Sequence, residues 1–463
     1  MTGAPYRPDP AILELGPDYY DPVRAADFPQ TILRFRNQRH AETVGLGDLA
    51  DEDWVRHFGR FAPLPGNLLQ PLALRYHGHQ FRTYNPDIGD GRGFLFAQMR
   101  DGAGRLLDLG TKGSGRTPYS RFGDGRLTLK GGVREVLATE MLEALGVHTS
   151  KSFSLIETGE ALTRGDEPSP TRSSVLVRLS HSHIRYGTFQ RLAYLKQLDA
   201  IPPLVRYCLR HFVGGTHDDP YAALMDHAVA GAARLAASWR TAGFVHGVLN
   251  SDNINITGES FDYGPWRFAP RWDDSFTAAY FDNFGLYSFG RQAEALQWNV
   301  HQLALALRTV AEPESLIPAL KTFPERYEAA LAERYLWRLG VKPHDAKSDE
   351  ALALAIEAAL GASDIAPDRF WFDWRGGRRR GANPADAIYD AAPFDTFRAA
   401  VSAYTSTDDC THPYWSDTAP CTMLIDEVEA IWKPIDEADD WSAFNTKIAA
   451  VRRMGEAYAS SSS

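Results

Sequence analysis

The sequence predicts an α+β protein with a β-rich first half and an α-rich second half, and three observations carry that prediction. Short apolar runs bounded by Gly, Asp or polar residues fill the stretch from about residue 90 to residue 180. Apolar residues at helical spacing dominate from Pro202 onward. The chain has 463 residues, 44% of them hydrophobic, which is too long for one small binding module. At roughly 100 to 200 residues per domain it allows about two to four domains, or one two-lobed unit with extensions.

Residues 1–60 are rich in Pro, Asp and aromatics and read as an irregular N-terminal extension with one short helix near Asp48 to Phe58. Four strands follow in the runs Gly93 to Met99, Leu106 to Gly110, Ser152 to Thr158 and Ser173 to Leu179. Between the second and third, Val133, Val136, Leu137, Met141, Leu142 and Leu145 recur at helical spacing, with Gly146 placed as a C-terminal stop. The first half is thus expected to be a small sheet carrying one inserted helix. In the second half, Ala223 to Gly243 and Glu294 to Val310 are amphipathic helices. Further helical stretches run through Phe323 to Gly340, Asp349 to Leu360 and Met423 to Met454, and the Ser-rich tail after Ala459 is expected to be disordered. A β-rich part followed by an α-rich part is compatible with a cleft between them, where small-molecule sites concentrate.

Composition narrows the class. The formal net charge of −10 lacks the basic footprint of a nucleic-acid binder. No apolar run approaches the ~20 residues of a membrane crossing, and the N-terminus shows no secretory signal, so the expectation is a cytoplasmic protein with no membrane partner. Cys208, Cys410 and Cys421 stand far apart without a CxxC pair, which argues for reduced, inert thiols. The run Arg375, Arg378, Arg379, Arg380 is read as a solvated loop in preference to a polyanion site.

Four segments carry candidate chemistry. GDGRG, Gly89 to Gly93, precedes a strand: glycines let backbone amides approach an anion, and Arg92 offers a planar fork for phosphate. An Asp-Gly hairpin turn explains the same residues equally well. Lys112 leaves a strand beside Gly113 and Gly115, with Asp124 and Gly125 in a second Gly-rich turn. Glu135 follows 23 residues later on the inserted helix, the arrangement by which kinase-like sites fix a phosphate-contacting lysine. Arg178 and Arg185 flank RLSHSHIR and could clamp a triphosphate tail; the His181/His183 pair admits a metal reading that the absence of an adjacent carboxylate or cysteine sets aside.

The fourth segment, Phe244 to Trp266, reads as a helix end, a loop and then Asp-Tyr-Gly. The kinase loop pattern HRDxxxxN places a base Asp two residues after His and a metal-binding Asn seven after it, with a later DFG aspartate as the other metal ligand. Here Asn253 stands seven residues after His246 and Asp262 opens Asp-Tyr-Gly, but Val248 occupies the position of the base. Asp252 is the nearest carboxylate and could activate a hydroxyl, the alternative being a turn residue in NSDN. A site with phosphate-holding and metal-holding groups but no ordinary base either binds nucleotide silently or works at another phosphorus with another base.

With these residues in place, the chain resembles the selenoprotein O family, pseudokinases that transfer AMP from ATP to protein Ser, Thr or Tyr hydroxyls. The resemblance runs from YHGHQF (Tyr76 to Phe81) through the four segments to LYSFGRQ (Leu286 to Gln292), in order. It implies a kinase-like bilobal fold that binds ATP flipped, with the α-phosphorus toward the acceptor. The implied organisation is an N-terminal extension (1–60), an N-lobe (61–200), a C-lobe with the catalytic loop (201–330) and a helical C-terminal extension (331–463). Residue by residue, Gly89, Gly91 and Arg92 match the first nucleotide-contacting turn, Lys112 the phosphate lysine with Glu135 as its partner, and Asp124 and Gly125 the second turn. Arg178 and Arg185 match the arginines holding the γ-phosphate, Asp252 the proton acceptor, and Asn253 and Asp262 the Mg²⁺ or Mn²⁺ ligands. Many family members end in a Cys-x-x-Cys or a selenocysteine; this chain carries neither, so redox control through such a pair is not expected.

Three functions stay open on the sequence alone: a metal-dependent protein nucleotidyltransferase using ATP, with UTP undecided; a phosphotransferase, against which Val248 argues; and a silent ATP-binding scaffold. Target proteins and oligomeric state are not written in the motifs.

Overall fold

The computed structural model describes residues 4–165, 168–381, 385–407 and 409–459. The four predicted runs become the centre of one antiparallel sheet of eight strands: β1 (Tyr20–Pro22), β2 (Ile32–Arg36), β3 (Leu72–Leu74), β4 (Leu95–Arg100), β5 (Leu106–Lys112), β6 (Leu127–Thr128), β7 (Lys151–Leu162) and β8 (Thr171–Ser180). The strand order is β1-β3-β4-β5-β8-β7-β2, with β6 pairing onto β8. Every residue of β5 is buried, as a central strand covered on both faces requires. In register, Arg178 of β8 lies opposite Gly110 of β5 and Leu176 opposite Lys112, so the sheet sets two predicted site cations on adjacent strands.

Helix α1 (Leu129–Ala144) packs across β7 and β8. Thr128 caps it by accepting from the Gly131 amide, and Gly146 ends it at φ +70°, the stop the sequence predicts. Gly132 permits the close approach: a Cβ there would lie 2.4 Å from a Leu155 methyl and 2.8 Å from Ser174 Oγ.

The helical half is built on α2 (Tyr186–Tyr194), α3 (Pro220–Ala242), α4 (Gln292–Leu307), α5 (Phe323–Leu339) and α6 (Ala346–Gly361). The α3 helix starts with an Asp219 cap and Pro220, ends at Gly243 with φ +68°, and packs on both α4 and α5. One apolar core runs from the underside of the sheet through α1 into α3 and α4. Among the described residues no helix is long and apolar enough to cross a membrane.

Three expectations need correction. The first 60 residues are not merely irregular: besides the helix Asp51–Phe58 they supply both edge strands, β1 on Leu72–Leu74 and β2 on β7. The stretch Met423 to Met454 is two helices, α7 (Ile425–Ala438) and α8 (Ser442–Ala459), broken where Asp439 takes φ +53°. That break turns Asp439 onto Arg172 at 2.7 Å and Arg34 at 3.0 Å and folds α8 back on α1, where Arg452 grips Glu140 at 2.7 Å and 2.8 Å. The arginine run is a solvated loop only in part: Arg378 is exposed, but Arg375 is buried, donating to the carbonyls of Trp337 and Arg338 at the end of α5, and Arg380 lies over Phe372. Carbonyls left over at a helix end and aromatic faces absorb these charges, which a composition rule cannot foresee. The expectation for the Ser-rich tail falls outside the described residues.

Candidate functional site

A cavity of about 810 Å³ opens between the sheet and the helical half, and every predicted site residue lines it except Glu135, which reaches it through Lys112. Lys112 is the last residue of β5 and Glu135 lies in the second turn of α1. The Lys112 ammonium donates to a Glu135 carboxylate oxygen and to the Tyr263 carbonyl at 3.0 Å. Burial pushes Lys112 below its ordinary range, and the Glu135 carboxylate beside it pulls the other way, as a buried, mutually compensated pair requires.

Arg178, near the end of β8, and Arg185, the residue before α2, both donate to the carboxylate of Asp262. Arg185 also holds the Asp252 carbonyl at 2.8 Å and Asp90 at 3.3 Å, with its guanidinium 4.4 Å from the Tyr76 ring centre and 4.8 Å from that of Phe261. Burial would raise the Asp262 acid, yet Arg178, Arg185 and Lys112 hold it well below the carboxylate range. Each arginine keeps a buried Nε–H without a partner among the described residues. Asp262 itself sits at φ +61°, and the segment before it is anchored by His246 Nε2 on the Phe261 carbonyl at 2.9 Å.

The turn Ser251–Asn253 carries the remaining groups. A hairpin, Gly78–Gln80 with Thr83–Asn85, clasps it: His79 N–H donates to Ser251 Oγ at 2.7 Å and Phe81 N–H to Asn250 Oδ1 at 3.0 Å. Gly78 packs so tightly that a Cβ would lie 2.9 Å from the Asp252 backbone nitrogen and Cβ. Asp252 is 8% exposed, and its Oδ1 has no hydrogen-bond partner among the described residues. Burial pushes its pKa up to about 6, with Arg185 pulling the other way. A turn-capping role does not account for an oxygen without a partner. Asn253 donates its amide to the Val248 carbonyl at 3.1 Å, which leaves its own Oδ1 as the atom to offer a cation.

The two Gly-rich turns form the opposite wall, and their glycines answer to protein neighbours. A Cβ on Gly89 would lie 2.5 Å from the Tyr119 ring, and one on Gly91 3.0 Å from the Tyr119 carbonyl. Gly125, at φ +71°, would meet the Gly115 carbonyl at 2.2 Å. Ser120 Oγ donates to the Gly91 carbonyl at 2.6 Å, so the second turn clasps the first. Arg92 is exposed at the rim, whereas Asp124 is already engaged by Arg164 at 2.8 Å.

Sequence reasoning passed over Asp90, which lies inside GDGRG and bridges Arg185 to the Leu74 amide at 2.9 Å, and Tyr76, on whose ring Arg185 rests. Asp90 had a visible signal, an acid between Gly89 and Gly91. The HxH pair separates: His183 faces Asp108, while His181 meets Glu259.

The cavity between the sheet and the helical half thus gathers a buried lysine–glutamate pair, two arginines sharing one aspartate and a buried carboxylate, a set of groups that suits a nucleotide-handling transferase. Residues 5–452 match the family described as "Protein adenylyltransferase SelO". Three relatives called "Protein nucleotidyltransferase YdiU" are similar along nearly their whole length. That of Gloeobacter violaceus is 45% identical, covering 96% of this chain and 95% of its own. That of Trichormus variabilis is 42% identical over 96% of each chain, and that of Synechocystis is 42% identical over 94% of this chain and 96% of its own. The chain belongs to the SelO family and is a nucleotidyltransferase.

Proposed function

We propose that the protein transfers AMP from ATP to Ser, Thr or Tyr hydroxyls of other proteins, in the cytoplasm, on a kinase-like bilobal core. Residues 61–200 act as the N-lobe and 201–330 as the C-lobe; residues 1–60 extend the sheet and 331–463 brace the core from behind. The observation that carries this reading is Asp252, a buried carboxylate with one oxygen that has no hydrogen-bond partner among the described residues, in a cavity where Val248 stands in the place of the usual base. With its pKa pushed up to about 6, Asp252 is ionised at neutral pH yet more basic than an ordinary aspartate.

In the proposed step Asp252 Oδ1 takes the proton of the acceptor hydroxyl. The hydroxyl oxygen bonds to the α-phosphorus, and the bond from that phosphorus to the α,β-bridging oxygen breaks, releasing pyrophosphate. Lys112, Arg178 and Arg185 hold the departing phosphates, and Arg92 with the Gly89–Gly91 and Asp124–Gly125 turns seats the nucleotide. The carboxylate of Asp262 and the carbonyl oxygen of Asn253 are hard oxygen donors suited to Mg²⁺ or Mn²⁺. When bound there, such an ion supplies charge neutralisation to the phosphates.

Incubation with protein acceptors and ATP labelled at the α or the γ phosphate tests the reading. Label is expected on protein from the α position only and to vanish in Asp252→Ala. Transfer from γ alone means a phosphotransferase, and no transfer from either position means a scaffold; each outcome sinks the proposal. UTP labelled at its α phosphate, run in parallel, decides the donor.

A further inference from the structure

Outside the nucleotide cavity, three side chains distant in sequence converge where the start of β7, the end of β8 and the segment before Asp262 meet. His148 precedes β7, His181 follows the last residue of β8, and Glu259 stands three residues before Asp262. The backbone fixes this junction: Thr149 and Ser260 form a parallel bridge, Ser150 N–H donates to the Ser260 carbonyl at 2.9 Å, and Ser260 N–H donates to the His148 carbonyl at 2.8 Å. The imidazole centres of His148 and His181 are 4.4 Å apart, and His181 Nδ1 lies 2.6 Å from a Glu259 oxygen. One donor atom from each of the three lies within 4.8 Å of the other two.

Each donor has a distinct character. The Glu259 side chain is fully buried, and its carboxylate is aimed by the His181 backbone amide at 3.1 Å and 3.2 Å. A buried carboxylate requires a charge or strong donors to stay there. His181 is half-buried, and its Nε2 is shut from solvent without a hydrogen-bond partner among the described residues. His148 is exposed, so an ion has a path from solvent. A simple His181–Glu259 hydrogen bond explains one ring nitrogen but neither the idle second one nor the second imidazole beside it.

We propose that His148, His181 and Glu259 form a binding site for a divalent transition-metal ion, zinc by the nature of the donors. Two imidazole nitrogens and one carboxylate oxygen suit zinc, with a fourth position left to water, whereas Mg²⁺ favours all-oxygen sites such as that offered by Asn253 and Asp262. The site joins β8, which carries Arg178, to the segment that carries Asp262. An ion there stiffens the arginine–aspartate junction of the cavity and touches no reacting atom.

The test uses the full chain, stripped with a chelator and titrated with Zn²⁺ by calorimetry and with Co²⁺ by visible absorption. One Zn²⁺ per chain is expected, with the absorption of a four- or five-coordinate Co²⁺ that persists in Asn253→Ala. In His148→Ala the affinity is expected to fall at least about tenfold, since a lost ligand costs no less than a lost partner of a ligand. His148 is exposed, so this variant should melt like the parent in metal-free buffer, and Zn²⁺ should raise the melting temperature of the parent further than that of the variant. His181→Gln is the second variant and should weaken binding equally. The proposal is overturned if the parent binds no more Zn²⁺ than His148→Ala, or if the Co²⁺ signal survives His148→Ala and disappears in Asn253→Ala.

Discussion

Replacing Asp252 by Asn should abolish transfer and at the same time make the protein more stable. The carboxyl is 8% exposed, and its pKa rises from 3.8 to about 6, chiefly through burial. That rise of about two units, at about 1.36 kcal/mol each, makes the ionised form cost ~3 kcal/mol in the folded state above pH 6. The sign follows from the raised folded value. Below the unfolded pKa of 3.8 the group is neutral in both states and the cost is nil; it builds between 3.8 and about 6 and is complete above. Asn mimics the neutral acid, and the hydrogen bond from Arg185 goes to the Asp252 backbone carbonyl, so it survives the change. Over 463 residues, at about 2.1 cal/mol/K per residue, ~3 kcal/mol corresponds to a rise of about 3 °C in Tm. Calorimetry near pH 8 should show that rise and calorimetry near pH 4 should not, while α-label transfer falls by about 10² or more. The reasoning is refuted if the variant melts at or below the parent near pH 8, or if it gains equally at both pH values.

Glu135→Ala leaves the buried Lys112 ammonium without its carboxylate and should lower stability by about 3–5 kcal/mol by urea titration; Lys112→Met with Glu135→Leu should recover most of that loss without restoring activity. Gly89→Ala drives a Cβ to 2.5 Å from the Tyr119 ring, so ATP binding should weaken by about tenfold, with Gly89→Ala/Tyr119→Ala, which removes the clashing ring, recovering it in a fluorescent-nucleotide titration. Arg178→Ala frees one side of Asp262, so Mn²⁺ affinity without nucleotide, read by electron paramagnetic resonance, should rise about three- to tenfold while the KM for ATP increases.

The lining of the candidate cavity was legible in the sequence because its signals are local. Lys112 follows an apolar run, Glu135 falls on an evident helix, and Asn253 and Asp262 keep fixed offsets from His246. What escaped depends on chain segments that meet only in three dimensions. Glu259 reaches His181 across 78 residues, so the HxH pair read alone had no carboxylate. Arg375 and Arg380 find helix-end carbonyls and aromatic faces that no charge run announces. The edge strands β1 and β2 are three and five residues long and gain their pairing only from β3 and β7. The two C-terminal helices lie on α1 because Glu140, buried in that helix, needs Arg452 from 312 residues away.

Lys112, Arg178 and Arg185 bring three cations to one cavity of an acidic chain, and the structure compensates each of them. Lys112 is matched by Glu135, Arg178 and Arg185 share Asp262, Arg185 also faces Asp90, and Arg164 holds Asp124. A triphosphate therefore meets cations that already have partners, and Asp262 cannot serve two guanidiniums and a divalent ion with the same two oxygens. On the proposed reading Asp262 would hold a divalent ion only by releasing the arginines, each of which keeps a buried Nε–H without a partner among the described residues and would then donate to phosphate. The separate ligands each leave a charge unpaired in a buried site, which is costly. Their joint arrival leaves none, so nucleotide and divalent ion should each bind more tightly in the presence of the other, by a coupling that Arg178→Ala weakens.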